Sequence, residues 1–425
     1  MKIAVVGTGI AGNVAAYHLS KTHDVTVFEA NDYIGGHTHT HDVTHNEQHF
    51  AIDSGFIVFN YKTYPHFTQL LEELNVDVQP SAMSFSVKCE RSGLEYNGTT
   101  LNSLFAQRRN LLRPSFYRMI KDILRFNKEA VEVLEKKDDS ISLGEILSKK
   151  QYSKEFIDHY IIPMGAAIWS TAPDLMYEFP AHYFIQFFHN HGMLSVNDRP
   201  LWHVIKGGSK QYVDALIKPF EKNIRLSTPV KSIVRSAEGV IINTEQYGSE
   251  QFDYVFIATH SDQALSVLEQ PSKKEKAVLG AIPYQRNEAV LHTDQSLLPK
   301  KKLAWAAWNY HILKNQQQSV ALTYNMNILQ GIDYPTQFCV TLNNSQAINP
   351  QSIIRQMEYD HPMFTPEGVA AQHRHSEING ENRTFYCGAY WRFGFHEDGV
   401  VSALNALEDF EKVIKNEQLH LRRAS

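Results

Sequence analysis

Residues 2–12 read Lys2-Ile3-Ala4-Val5-Val6-Gly7-Thr8-Gly9-Ile10-Ala11-Gly12. A short β-branched run opens into a G-x-G-x-x-G, and residues 13–19 follow with Ala15, Ala16 and Leu19 at helical core spacing. Residues 25–28 (Val-Thr-Val-Phe) form a second strand that ends at Glu29, 22 positions after Gly7. Strand, glycine turn, helix, strand and an acid about 20 residues past the glycines predict the first βαβ unit of a dinucleotide site. Gly7 would make the tight turn, Gly9 would let the backbone approach a pyrophosphate, and Gly12 would let helix and strand pack closely. The N–H groups at the start of the helix, Ile10 and Ala11 among them, would then face phosphate. Glu29 would accept from ribose hydroxyls and repel a 2′-phosphate. The competing reading is a structural glycine turn in an unrelated α/β protein.

Composition narrows the function classes. In 425 residues, 43% are hydrophobic and 20% charged, which fits a globular chain of two to three domains. Lys+Arg is 41 and Asp+Glu 46, a formal net charge of −5, which argues against a nucleic-acid partner held by a basic surface. Three cysteines (Cys89, Cys339, Cys387) form no C-x-x-C pair, so a reducing compartment is expected rather than a disulfide scaffold. No apolar run reaches the roughly 18–20 residues of a membrane span, and the glycines after Lys2 do not suit a signal peptide. A cytoplasmic protein is expected, with membrane contact only from the surface.

From Glu29 the chain continues Ala30-Asn31-Asp32-Tyr33-Ile34-Gly35-Gly36-His37-Thr38-His39-Thr40. Glu29, Gly35, Gly36, His37, Thr38 and Thr40 fill the pattern of an acid, a short spacer, a Gly-Gly pair and a basic residue followed by Thr. Here the chain resembles the flavin-dependent amine oxidase superfamily, which includes amine oxidases, protoporphyrinogen oxidase and phytoene-type desaturases. The resemblance converts "NAD or FAD" into FAD, bound non-covalently. It places Gly7, Gly9, Ile10, Ala11, Gly12, Glu29, Ala30, Gly35, Gly36, His37 and Thr38 along the cofactor, with His37 where many members carry Arg. Asp53-Ser54-Gly55-Phe56 resembles the next element, which brings the chain to the flavin ring.

Histidines 37, 39, 41, 45 and 49 also suggest a metal, since three at period two share a strand face. The Gly-Gly-basic-x-Thr pattern already accounts for this segment, so no metal is expected.

Further on, residues 64–76 predict a helix opened by Pro65, residues 83–87 a strand, and residues 102–160 a helical insertion. Residues 107–128 hold seven basic side chains (Arg108, Arg109, Arg113, Arg118, Lys121, Arg125, Lys128) and one acid, Asp122, among Leu111, Leu112, Phe116, Tyr117, Met119, Ile120 and Leu124. A basic amphipathic segment can lie on an anionic membrane, or it can be a surface helix with its apolar face in the core. The aromatic stretch 183–188 suggests either core or an apolar pocket.

Residues 206–218 (a Gly207-Gly208 turn, then a helix) and 224–233 resemble the family segment that returns to the nucleotide fold, with Val230 toward the adenine side. A buried strand is expected at 253–259. Alternating segments at 289–292, 304–308, 320–324 and 338–342 suggest a mixed sheet roofing a cavity shaped by Trp305, Trp308, Tyr310 and Tyr324. Residues 384–404 predict a strand, a glycine turn and a closing helix with Asp398 and Gly399 at its start. The resemblance gives Gly388 to the diphosphate–ribityl chain, and Glu397, Asp398, Gly399 and Val400 to the ring edge through their N–H groups. Tyr390 stands where many members carry Glu, and no Lys is assigned beside the ring. No second G-x-G-x-x-G occurs, so oxygen, a quinone or a protein is the expected electron acceptor.

The expected fold is α/β: a Rossmann-like FAD-binding domain of glutathione-reductase type (1–75, 206–270, 381–425) interleaved with an α+β substrate domain (76–205, 271–380). The closest resemblance is to bacterial FAD oxidoreductases of this superfamily often encoded beside cyclopropane-fatty-acid synthases. It implies hydride removal from a hydrophobic substrate, fatty-acyl or isoprenoid. Amine oxidation and a non-catalytic flavoprotein partner of a lipid-modifying enzyme are the alternatives.

Overall fold

A computed structural model describes residues 1–136, 141–195, 199–315 and 319–424. Residues 137–140 of the expected helical insertion lie outside the described residues.

The chain opens with β1 (Lys2–Val6), α1 (Ile10–Ser20) and β2 (Asp24–Phe28). β1 is central in a five-stranded parallel sheet. On one side it pairs with Tyr254–Ile257, which pairs in turn with Thr384–Tyr386. On the other it pairs with β2, then Ile224–Arg225. Ile3, Ala4 and Val5 are fully buried because helices cover one face of the strand and residues 233–252 pack on the other, which is why it reads as a continuous apolar run. The C-terminal helix His396–Ala424 packs on α1. Residues near both ends of the chain therefore share one core, in which Val5, Val14, Phe256, Phe385 and Val400 meet.

After β2, two antiparallel strands, β3 (Thr40–His45) and β4 (Gln48–Asp53), lead to α2 (Pro65–Glu73). A separate seven-stranded mixed sheet is built from residues 85–97 and 284–362. Its first strand is Phe85–Cys89, two residues later than the expected 83–87. The segment 304–308 is not a strand: Lys302–Ala304 is a short 3-10 turn and pairing begins at Trp308. The Trp305 indole donates to Pro299 O at 2.7 Å, which holds that stretch in a turn. Residues 230–252 form a three-stranded meander. The aromatic stretch 183–188 is largely core: Phe184, Ile185 and Phe188 are buried in the helical layer under the sheet.

Arg235 on the meander and Glu275 at the capped start of the helix Lys273–Leu279 form a buried ion pair, which Tyr386 OH joins by donating to Glu275 at 2.6 Å. Three segments distant in sequence meet there. Removing one partner strands the other charge in the core, so Glu275→Ala is expected to cost about 3 kcal/mol or more, read as a lower urea midpoint.

Candidate functional site

The site is built where the parallel strands end. Gly7 has φ +101°, and a side chain there would meet the Ala258 carbonyl at 2.9 Å. At Gly12 a Cβ would lie 2.0 Å from the Gly7 carbonyl. Both glycines are needed by the fold itself. Gly9 differs: a Cβ placed on it has nothing within 4 Å. It opens α1 with no side chain capping the helix start, so the first N–H groups stay available. The sequence thus leaves a bare, positively polarised cradle at Gly9, Ile10 and Ala11.

Glu29 ends β2 and is 5% exposed. Its carboxylate accepts from the Thr8 N–H (2.9 Å), the Thr8 hydroxyl (2.5 Å) and the Asn31 N–H (2.9 Å), which fixes it beside the cradle. Ala30 next to it is exposed. The Thr228 N–H donates to Glu29 O at 2.7 Å, which brings Val230, at the start of the meander, to this end of the sheet.

Gly36 approaches Gly9 so closely that a Cβ on it would sit 3.0 Å from the Gly9 Cα. Gly35 likewise faces the Thr38 carbonyl. His37 therefore lands next to the cradle. Its Nε2 is shielded from solvent and has no partner. Around it stand other imidazoles and phenols: His361 at 5.3 Å between ring centroids, Tyr359 at 5.2 Å, and His260 at 5.9 Å, itself stacked on Tyr284. The wall continues through His39, whose Nδ1 lies 3.0 Å from Tyr359 OH, and His41, whose Nε2 lies 2.7 Å from Ser54 Oγ. Burial, reinforced by His260, pushes His37 down to about 4; burial beside His37 pushes His361 down to about 3. A neutral imidazole thus stands where the family pattern has a cation. No cluster able to hold a metal ion occurs among the described residues.

Several residues named from the sequence serve the frame. Asp53 is fully buried and accepts from Thr40 Oγ1 (2.5 Å), the Ser209 N–H (2.9 Å) and Ser209 Oγ (3.0 Å). Its carboxylate pins the Gly207-Gly208 turn rather than reaching a ligand. Ser54 links His41 to Tyr359, and Gly55 packs against the His37 carbonyl. Thr38 Oγ1, Tyr212 OH and His396 Nε2 form a buried triangle at 2.6–3.1 Å. Phe56 stacks on His396.

The closing segment departs from expectation in register. The helix begins at His396, so the Gly399 N–H already donates to Phe395 O at 3.1 Å. The N–H groups left without intrahelical acceptors belong to residues 396–398. Glu397 does not face the site: its carboxylate caps α2, taking the His66 and Phe67 N–H groups at 3.0 and 2.9 Å. Asp398 takes the Phe395 N–H at 2.9 Å, and burial pushes it up to about 7. A Cβ on Gly399 would meet Ile10 Cγ2 at 2.6 Å, so the starts of α1 and the last helix touch there. Val400 is core, and Gly388, held to Ser402 Oγ, makes room for the Tyr390 ring.

FAD fits these residues on three counts: an empty space over Gly9, an unpartnered His37 Nε2, and a fixed acid at the end of β2. Gly9→Val is expected to fold with an unchanged melting temperature in flavin-free form, yet to retain no flavin through gel filtration. Glu29→Ala should weaken retention about tenfold or more, the scale of a lost charge-assisted hydrogen bond. The imidazoles also set a pH dependence. Below pH 6.5 the unfolded chain takes up protons that His37, His39, His41, His260 and His361 refuse, so stability is lost as pH falls from 6.5 toward 4. Asp398 and Asp53, pushed up by burial, oppose this by gaining stability as pH falls, but they are two against five. The melting temperature of flavin-free protein should fall between pH 7 and 5, and His361→Gln should recover about 1 kcal/mol at pH 5.5.

Comparison with known proteins agrees with this geometry. The family model described as "Flavin containing amine oxidoreductase" matches residues 10–314. An L-amino-acid oxidase from Siganus canaliculatus is 22% identical over 327 residues, 69% of this chain; the chain spans 57% of that relative's length. Cyclohexylamine oxidase from Brevibacterium oxydans shares the fold with a TM-score of 0.68 at 16% identity, covering 96% of this chain and 99% of the other. A conjugated-linoleic-acid-producing fatty acid isomerase from P. acnes superposes with a TM-score of 0.70 at 15% identity, over 96% and 98% of the two chains. With the glycine cradle, the fixed acid and the closing helix gathered where the parallel strands end, the chain belongs to the flavin-containing amine oxidoreductase family of FAD-dependent oxidoreductases, and its cofactor is FAD.

Proposed function

We propose that the protein removes hydride from a C–H bond of a hydrophobic substrate, a fatty-acyl or isoprenoid chain. The observation that carries this reading is an apolar wall on two facing layers. Phe85, Trp308 and Tyr324 on the seven-stranded sheet, and Tyr160, Met164 and Ile168 on the helices packed against it, are half-buried members of one cluster. Trp308 and Tyr324 meet edge to face at 5.2 Å. Such surfaces receive an alkyl or polyene chain by excluding water and fixing its orientation.

Bound FAD supplies the hydride acceptor. The chain's residues would hold its pyrophosphate at Gly9 and its ribose hydroxyls at Glu29, and the N-terminal end of the last helix favours negative charge near the reacting centre. With the hydride taken up by bound FAD and a proton of the neighbouring carbon released to water, the substrate would keep a double bond, and oxygen, a quinone or a protein acceptor would then reoxidise the cofactor. Cys387 is buried with its thiol pushed up to about 12, which suits non-covalent attachment. An ammonium substrate is less well served at the last helix: Glu397 is spent on α2, and Asp398 is held near neutrality. The shared fold of a fatty acid isomerase is in keeping with a lipid.

Anaerobic mixing of the holoprotein with lipid extracts is expected to bleach the flavin's visible absorbance. Bleaching by amines alone would replace this reading with amine oxidation. No bleaching by either would make the protein an electron carrier or partner subunit.

A further inference from the structure

The helix Pro114–Glu129 is amphipathic, but its outer face is not simply polar. Phe116, Met119 and Phe126 point into the helical core. Tyr117, Lys121, Leu124 and Lys128 follow one another along the opposite side, and Tyr117 and Leu124 are 46% and 54% exposed. The turn before the helix adds Leu111 and Leu112, the latter 89% exposed. Leu111, Leu112, Pro114, Tyr117, Arg118 and Lys121 line one shallow depression, so apolar and basic groups share a continuous surface.

The charges on this face suit one occupant. Arg118 pairs with Glu155, and Arg125 with Asp122 and Glu129. Arg108, Arg109, Arg113, Lys121 and Lys128 make no ion pair among the described residues. Arg108 and Arg109 instead donate to backbone carbonyls, which holds the turn carrying Leu111 and Leu112 in shape. Exposed leucines and a tyrosine with unpaired cations around them match the boundary between lipid headgroups and acyl chains, where apolar side chains enter and cations face phosphate.

We infer that residues 111–128 dock the protein on an anionic bilayer surface, Leu111, Leu112 and Tyr117 entering the interface while Lys121 and Lys128 meet lipid phosphates. No helix among the described residues is long and apolar enough to cross a membrane, so the contact is with one leaflet. The inner face of the docked helix belongs to the same hydrophobic cluster as the apolar wall.

The test is sedimentation of flavin-loaded full-length protein with vesicles of phosphatidylcholine, alone or with one quarter phosphatidylglycerol. The wild type should sediment with the anionic vesicles about tenfold or more better than with neutral ones, and high salt should reverse this. Lys121→Glu with Lys128→Glu should remove the anionic preference. Leu111→Ser with Leu112→Ser should weaken sedimentation about tenfold. Flavin content and melting temperature should be unchanged in both, since the substituted side chains are exposed. Wild-type protein that stays in the supernatant, or variants that sediment as well as wild type, would overturn the inference. A self-association that the leucine variant abolishes, with no vesicle binding, would assign the face to a second copy instead. Because the readout is sedimentation, failure here leaves the substrate reading intact, and failure to bleach with lipid leaves this one intact.

Discussion

The structure depends on how closely backbone can approach backbone where α1 starts. At Gly7 the neighbour is the Ala258 carbonyl, at Gly12 the Gly7 carbonyl, and at Gly399 the side chain of Ile10. At Gly7 and Gly12 the obstacle is backbone, inside the distance any Cβ would occupy, so those positions have no alternative residue, while a side chain at Gly399 would have to displace Ile10. They join segments from the beginning, middle and end of the chain. The gap they leave over Gly9 is a by-product of that packing, and it is the space a pyrophosphate needs. Structure and binding thus come from the same omission of side chains.

Electrostatics around the cradle follow from crowding rather than from formal charge. A guanidinium keeps its proton wherever it is placed, whereas clustered imidazoles suppress one another's protonation and are further penalised by burial. The wall of His37, His260 and His361 is therefore a set of neutral dipoles and apolar ring faces in the flavin-free protein. Positive potential is left to the backbone, at the two helix starts that touch at Ile10 and Gly399. The carboxylates nearby are handled in the same way: Asp53 and Glu397 are saturated with N–H and O–H donors, so they hold turns and helices in place.

What could be read from the sequence was whatever is encoded over short distances. The order β1, glycine turn, α1, β2 and Glu29 spans under thirty residues, and every member has a local physical requirement. Pro65 opening a helix and the strand at 254–257 are equally local. Other features were not legible, because their partners are far away. Nothing at Tyr359 or His361 announces a contact with His37, more than 300 positions earlier; only the pairing of Tyr284–His292 with Ile353–Pro362 brings them over the cradle. The roles of Asp53 and Glu397 were hidden for the same reason, since an acid beside a motif looks like a ligand until its donors are known. The two-residue shift at the start of the last helix turned on the stacking of Phe56 against His396, another contact across the chain.

The dependence of the cradle on Gly399 has a consequence for biosynthesis. At translation speeds of roughly 5–20 residues per second, the ribosome reaches that glycine roughly 20–80 s after it has made the first turn of the motif. During that interval the nascent polypeptide carries half a binding groove, with the strand Tyr254–Ile257 still waiting for Thr384–Tyr386 at its edge. Coenzyme capture must wait for the closing helix, and until then the unfinished sheet edge is open to pairing with other chains.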